Sequence, residues 1–221
     1  MNRYRLTLKG LSPLLMHRDN LAFTEKVQAW RKDPANKELS VSGDDRSPAW
    51  TWIGCIYHDT EHFGIDADNL MTMLREGGAK VKAKGKETYK KQTQSGIMLD
   101  QQQFRLEVDG KEVPVAPFSE LIGENNFLKH LETAEKFGFE LLIKRAAIGQ
   151  SKHVRVRPMF RNWVATGTIT IIDEELSGLT APILETIAGQ AGALCGLCDW
   201  RPSSPRKSGT FGTFLPALEK V

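Results

Sequence analysis

Between Lys144 and Ala165 the chain reads KRAAIGQSKHVRVRPMFRNWVA, with six Lys and Arg and no Asp or Glu. Inside it Val154, Val156 and Pro158 alternate with His153, Arg155 and Arg157. That period of two belongs to a strand with one wetted face. It predicts His153, Arg155 and Arg157 side by side on one surface, with Trp163 close by. The thirty residues after Ala165 contain acids but no Lys or Arg, so the basic charge is concentrated. A row of fixed cations beside an aromatic suits a sugar–phosphate backbone. A solvated basic hairpin is the plainer alternative.

Two more basic stretches share the chain. KVKAKGKETYKK carries Lys80, Lys82, Lys84, Lys86, Lys90 and Lys91 around Gly85, and reads as a basic loop or long hairpin. Near the end, Trp200, Arg201, Arg206 and Lys207 sit among Pro, Ser and Gly. Backbone amides and cations of such a loop can grip phosphates while an aromatic stacks on a base. The alternative is a C-terminal clasp with Trp200 buried and Arg201 paired to Asp199. Net charge is only +3, so distribution matters more than total.

With 221 residues, 40% hydrophobic and 26% charged, the chain fits one soluble domain, 1–221, carrying sizeable insertions. It shows no apolar run of the ~20 residues a membrane span needs. MNRYRLTLKG alternates from the start, so it is expected to be a strand and not a signal peptide. Three cysteines, an odd number, argue against a disulfide framework and for a reducing cytosol.

The first strand is expected to run from Tyr4 to about Met16, followed by a helix over 20–32. Asp33 to Pro48 is polar and reads as a loop. WTWIGCIY, Trp50 to Tyr57, reads as a strand. Asp66 or Asp68 caps a helix that ends at Gly77-Gly78. Asp109-Gly110 marks a two-residue hairpin. Phe118 to Phe137 holds one broken helix or two short ones. Phe139 to Ile148 is expected to be a buried strand, Trp163 to Ile172 another, Leu179 to Leu194 a helix, and Phe211 to Leu215 a short closing strand. The frame of strand, helix, paired strands, helix, strand predicts an α+β, ferredoxin-like core with an antiparallel sheet. Its insertions fall at about 19–49 and 80–138, with a glycine-rich C-terminal loop at 192–212.

KGLSPLLMHR, then KHVRVRPMF with the Trp163 strand, and finally GLCDWRPSSPRKSGTFGTF together resemble a group of small proteins encoded by phages and prophages. The resemblance covers both ends and much of the middle. In layout the chain is also similar to the RAMP superfamily, which includes the RNA-binding backbone subunits of CRISPR effector complexes. Those place a ferredoxin-like core beside a helix introduced by an Ile-Pro-Gly-Ser-like turn. Here Ile65-Asp66-Ala67-Asp68-Asn69 lacks the Pro and Gly, and the closing loop would be Gly192 to Gly212. That likeness implies a single strand bound along one face by several subunits in a row.

Cys195 and Cys198 form a CxxC, and His58 and His62 lie four apart, a possible Cys2His2 zinc set. The phage-type proteins usually carry Gly-Leu-Gly-Asp where this chain has its CxxC, which argues against metal, and no cofactor is expected. For a nuclease the available parts are His17, His153 and the pair Asp44-Asp45. No phosphate-binding glycine loop, GxSxG elbow or cluster of metal-binding carboxylates appears. The expectation is therefore a non-enzymatic protein that binds single-stranded RNA or DNA with little sequence preference, alone or as a homo-oligomer or filament. Its path would be lined by Lys80, Lys82, Lys84, Lys86, Lys90, Lys91, Lys144, Arg145, Lys152, His153, Arg155, Arg157, Arg161, Arg201, Arg206 and Lys207, with Trp163 and Trp200 stacking. The alternatives are an interaction module that docks on a host or phage complex and a RAMP-like endoribonuclease.

Overall fold

The computed structural model describes residues 1–149 and 151–221; Gln150, within the basic stretch, lies outside them. Strand β1 (Asn2–Gly10) alternates buried Tyr4, Leu6 and Leu8 with outward Arg3, Arg5 and Lys9, as its spacing predicts. The strand does not continue to Met16. At Ser12-Pro13 the chain leaves the sheet, and Leu14–Leu15 form β2 of a second sheet. Proline has no N–H for a ladder, which makes this a natural exit point.

Helix α1 (Leu21–Lys32) starts at Asn20, whose side chain accepts from the Phe23 amide, and stops before Asp33-Pro34. Trp50 to Tyr57 is not the strand its composition suggests. Thr51–Cys55 form a 3-10 turn in which Trp52, Ile53 and Cys55 are all buried, beside buried Trp50. A strand with one wet face would turn half of these side chains outward, so packing on all sides overrides β propensity.

Strand β3 (Gly64–Asp66) runs straight into α2 (Ala67–Gly78). The lysine-rich stretch beyond it holds a single bridge, Lys82 to Thr88, before α3 (Lys90–Gly96) and β4 (Ile97–Leu99). Strands β5 (Gln103–Val108) and β6 (Lys111–Glu112) join at the predicted turn, with Asp109 and Gly110 both at positive φ (50° and 74°). Two short helices follow, α4 (Ala116–Ser119) and α5 (Phe127–Lys136).

Strands β7 (Glu140–Ile148) and β8 (Ser151–Phe160) then form a long antiparallel hairpin that contains the basic stretch. Phe139 and Leu141 at its base are buried, but from Ile143 to Arg145 the strand is exposed. The expected buried strand is thus buried only at its root, because β7 is the outer strand of a three-stranded sheet, β2-β8-β7. Strand β9 (Trp163–Ile171), α6 (Glu174–Ser177), α7 (Ala181–Leu194) and β10 (Phe214–Lys220) complete the chain. The closing strand begins later and runs further than Phe211–Leu215, with Pro216 accommodated on an edge strand.

The large sheet has seven strands along the path β10-β1-β9-β5-β3, with β4 beside β9 and β6 beside β5. All its named pairings are antiparallel. The class is α+β, as predicted. Residues 103–108, placed within an insertion by sequence reading, supply a strand of this sheet, and the basic hairpin β7–β8 lies between β5 and β9 in the chain. Helices α2 and α7 meet where Gly77 faces Ala191: a Cβ on Gly77 would lie 2.6 Å from the Ile187 carbonyl oxygen. Their buried Leu70, Met73, Leu184 and Ile187 join one core with Leu6, Leu8 and Ile169. An aromatic cluster extends that core toward the small sheet, with Phe63 touching Phe118, Phe139 and Phe160 at centroid distances of 5.1–6.3 Å. No helix among the described residues is long and apolar enough to cross a membrane.

Candidate nucleic-acid interface

The basic row on β8 exists, but it is not free. The segment from Gly43 to Ser47, read from sequence as part of a polar loop, docks against β8. The Val154 amide donates to the Gly43 carbonyl (2.8 Å) and the Asp45 amide to the Val154 carbonyl (3.0 Å). Gly43 takes a positive φ of 75°, and a Cβ there would lie 2.7 Å from His153 Nδ1, so glycine lets the loop and the imidazole meet.

Docking buries Asp45. Its two oxygens accept from Arg155 Nη1 (2.8 Å) and Arg157 Nη1 (2.9 Å), and the Val156 amide adds a third bond (3.2 Å). Side-chain exposure is 7% for Asp45, 13% for Arg157 and 33% for Arg155. The expectation of two solvent-facing arginines is corrected here: an acid more than a hundred residues away in sequence holds both. Asp44, its neighbour, binds Arg46 instead (2.7 Å), which holds its carboxyl below the usual range. Both aspartates are thus engaged by arginines.

Arg157 also donates through Nη2 to His17 Nε2 (3.1 Å), and His17 Nδ1 lies 3.6 Å from Asp199. An acceptor Nε2 assigns the remaining proton to Nδ1, a neutral ring. Desolvation, then the Arg157 charge, pull the His17 pKa below its ordinary value, in keeping with that assignment. From α1, Arg31 donates to the main-chain carbonyls of Ser47 (2.8 Å) and Asp44 (3.1 Å) and pairs with no carboxylate among the described residues. Arg31 was not singled out in the sequence; its helical position gave no signal that it would reach this loop.

Two clefts meet at this row, and His17, Arg155 and Arg157 line both. One, of about 540 Å³, adds Lys144 and Arg145 from β7 with Trp200 and Lys207 from the C-terminal loop. Lys144 Nζ lies 3.6 Å from the centroid of the Trp200 ring, which also stacks on Phe211 at 5.7 Å. The fold therefore brings together two of the three basic stretches and one of the two tryptophans.

The remaining sequence candidates lie elsewhere. Trp163 is 1% exposed, donates to the Ser12 carbonyl (2.9 Å) and packs on Phe214, so it cannot stack on a base. Arg161 is held by both Glu140 oxygens (2.6 and 3.2 Å). Arg201 pairs with Glu76 (3.4 Å) and donates to the Cys198 carbonyl, bracing the C-terminal loop instead of facing a ligand; the alternative pairing with Asp199 is also wrong. Lys152 and Arg206 are exposed without lining either cleft. Neither cleft includes Lys80, Lys82, Lys84, Lys86, Lys90 or Lys91; Lys91 borders a small cleft beside Ile172 and Leu176.

Cys55, Cys195 and Cys198 are buried free thiols. Burial pushes Cys198 up to about 12 and Cys55 to about 11, which keeps both protonated and unreactive. His62 lies 3.3 Å from Glu112, and among the described residues no three His, Cys, Asp or Glu converge as a metal set. No protein-family model matches the chain, and no match is found among curated proteins.

Proposed function

We propose that this protein binds single-stranded nucleic acid, without cutting it, across the cleft between the β7–β8 hairpin and the C-terminal loop. The observation that carries the reading is the convergence of Lys144, Arg145 and Lys207, beside the Asp45-held Arg155 and Arg157, on one 540 Å³ cleft next to Trp200. Four of these residues lie on the two strands of one hairpin and Lys207 comes from the C-terminal loop, and Asp199 is the one carboxylate in the lining. Cations on several elements can follow successive phosphates, while an aromatic at the wall offers a stacking surface indifferent to base identity. Lys144 already covers Trp200, and a flexible lysine gives way to a base at little cost.

The finer fold follows the same reading. The strand order β10-β1-β9-β5 with α2 and α7 as the crossover helices supports a ferredoxin-like core, on which the hairpin is an added arm. Binding by several copies along one strand is part of the proposal.

The test is a salt titration of binding to labelled single-stranded RNA and DNA. Affinity should fall steeply with salt, and replacing Lys144, Arg145 and Lys207 together by Ala should reduce the magnitude of the log–log slope by about 2. These three are exposed, so the fold survives their loss. An unchanged slope in the triple variant would defeat the reading. Loss of the full-length label during incubation would replace it with a nuclease.

A further inference from the structure

The second cleft is a different environment from the first. It measures about 420 Å³ and lies between one flank of α1 and strand β8, with the docked Gly43–Asp45 segment as a third wall. Arg18, Arg31, Arg155 and Arg157 line it against Asp19 and Asp45. Arg18 leans on Asp66 outside the cleft (4.0 Å), and Asp19 is exposed to water. Counted over the whole lining, four guanidiniums face two carboxylates, an excess of two positive charges. Burial weakens the hold of Arg31 on its proton, and Arg31 also feels the charges of Asp45, Arg155 and Asp44.

Partly desolvated cations without a matching anion are costly to hold. Here three of them are held in place, by Asp45 for two and by the Ser47 and Asp44 carbonyls for the third. A fixed guanidinium fork matches the oxygens of a phosphate. A bridging phosphodiester brings one negative charge. A phosphomonoester brings about −1.5 to −2 and three terminal oxygens, which fits an excess of two.

We propose that this cleft seats the phosphorylated end of a nucleic-acid strand, a terminal phosphomonoester held by Arg31 with Arg155 and Arg157. The inference builds on the single-strand reading, because the two clefts share His17, Arg155 and Arg157, so a strand lying in the first leads into the second. Nothing in the cleft's chemistry separates a 5′ from a 3′ phosphate, and the experiment carries both.

The experiment compares one labelled single-stranded oligonucleotide in three forms: 5′-phosphorylated, 3′-phosphorylated, and hydroxyl at both ends. Wild type is expected to bind one phosphorylated form at least about tenfold more tightly than the hydroxyl form, the size of one or two added charge-assisted hydrogen bonds. Arg31→Gln should abolish that preference. Because Arg31 also ties down the loop, Thr24→Glu serves as a second variant. Thr24 is exposed on the α1 wall of the same cleft, and a carboxylate there repels the phosphate without touching the loop. Equal affinity of wild type for all three forms, or a preference that persists in folded variants, overturns the inference and leaves the strand reading intact. Failure of every form to bind overturns both.

Discussion

Asp45 shows how one side chain can decide what a basic strand presents. It accepts three hydrogen bonds from β8 at 7% exposure, so Arg155 and Arg157 are oriented by an acid rather than dispersed in water. Removing one partner from such a buried set leaves the others uncompensated, at a cost of about 3–5 kcal/mol. Asp45→Asn keeps the shape but loses the charge, and is expected to lower unfolding stability by about 3 kcal/mol, read as a lower urea midpoint with an unchanged m-value. A midpoint within experimental error of wild type would mean that the two arginines need no anchor. For the same reason Arg155→Ala with Arg157→Ala is a poor probe of binding. It strands Asp45 in the interior and mixes folding with affinity.

At the scale of elements, the contacts between segments explain where composition misleads. The 3-10 turn at Thr51–Cys55 is rich in strand formers, yet it is enclosed by Phe23, Phe118, Phe139 and His130 around Trp50 and Trp52. The α2–α7 interface depends on a missing side chain. A Cβ on Gly77 would meet the Ile187 carbonyl at 2.6 Å and the Ala191 Cβ at 2.7 Å, and main chain yields little. Gly77→Ala should gain about 1 kcal/mol of helix propensity and lose more through separation of the helices, a net loss of about 1–2 kcal/mol. Thermal unfolding checks the sign: a variant that melts higher than wild type would show that the helices part without strain.

For the molecule as a whole, stability should depend on pH through a histidine that the binding clefts do not use. His130 is fully buried. Its Nδ1 accepts from Trp52 Nε1 (3.2 Å) and its Nε2 lies 2.8 Å from the Glu124 carbonyl, so the ring is neutral with its proton on Nε2. Burial lowers its pKa from the usual 6.5. The unfolded chain therefore binds a proton below 6.5 that the folded chain refuses. Its contribution is fully present above that pH and is lost as pH falls toward the lowered value, by at most about 1.4 kcal/mol per unit. His17, shifted in the same direction, adds to the trend. Urea unfolding at pH 7.5, 6.5 and 5.5 should show the loss, and His130→Gln should flatten it; an equal slope in that variant would refute the assignment.

Local chemistry determined a good deal by itself. The alternation in β1 and β9, the Asp109-Gly110 turn, the helix over 21–32 and the small-residue helix α7 all follow from periodicity, caps and turn preferences that act within a few residues. The strand carrying His153, Arg155 and Arg157 was legible in the same way. Whether those cations were free, which tryptophan stayed only half-buried and which basic stretches met were not legible. Asp45 reaches Arg155 across 110 positions, Trp163 is buried by Ser12 and Phe214, and Lys144 finds Trp200 only when the C-terminal loop folds back. Period and propensity carry no information about such partners. Charge pairing and burial depend on distances through space, and only the tertiary structure sets those.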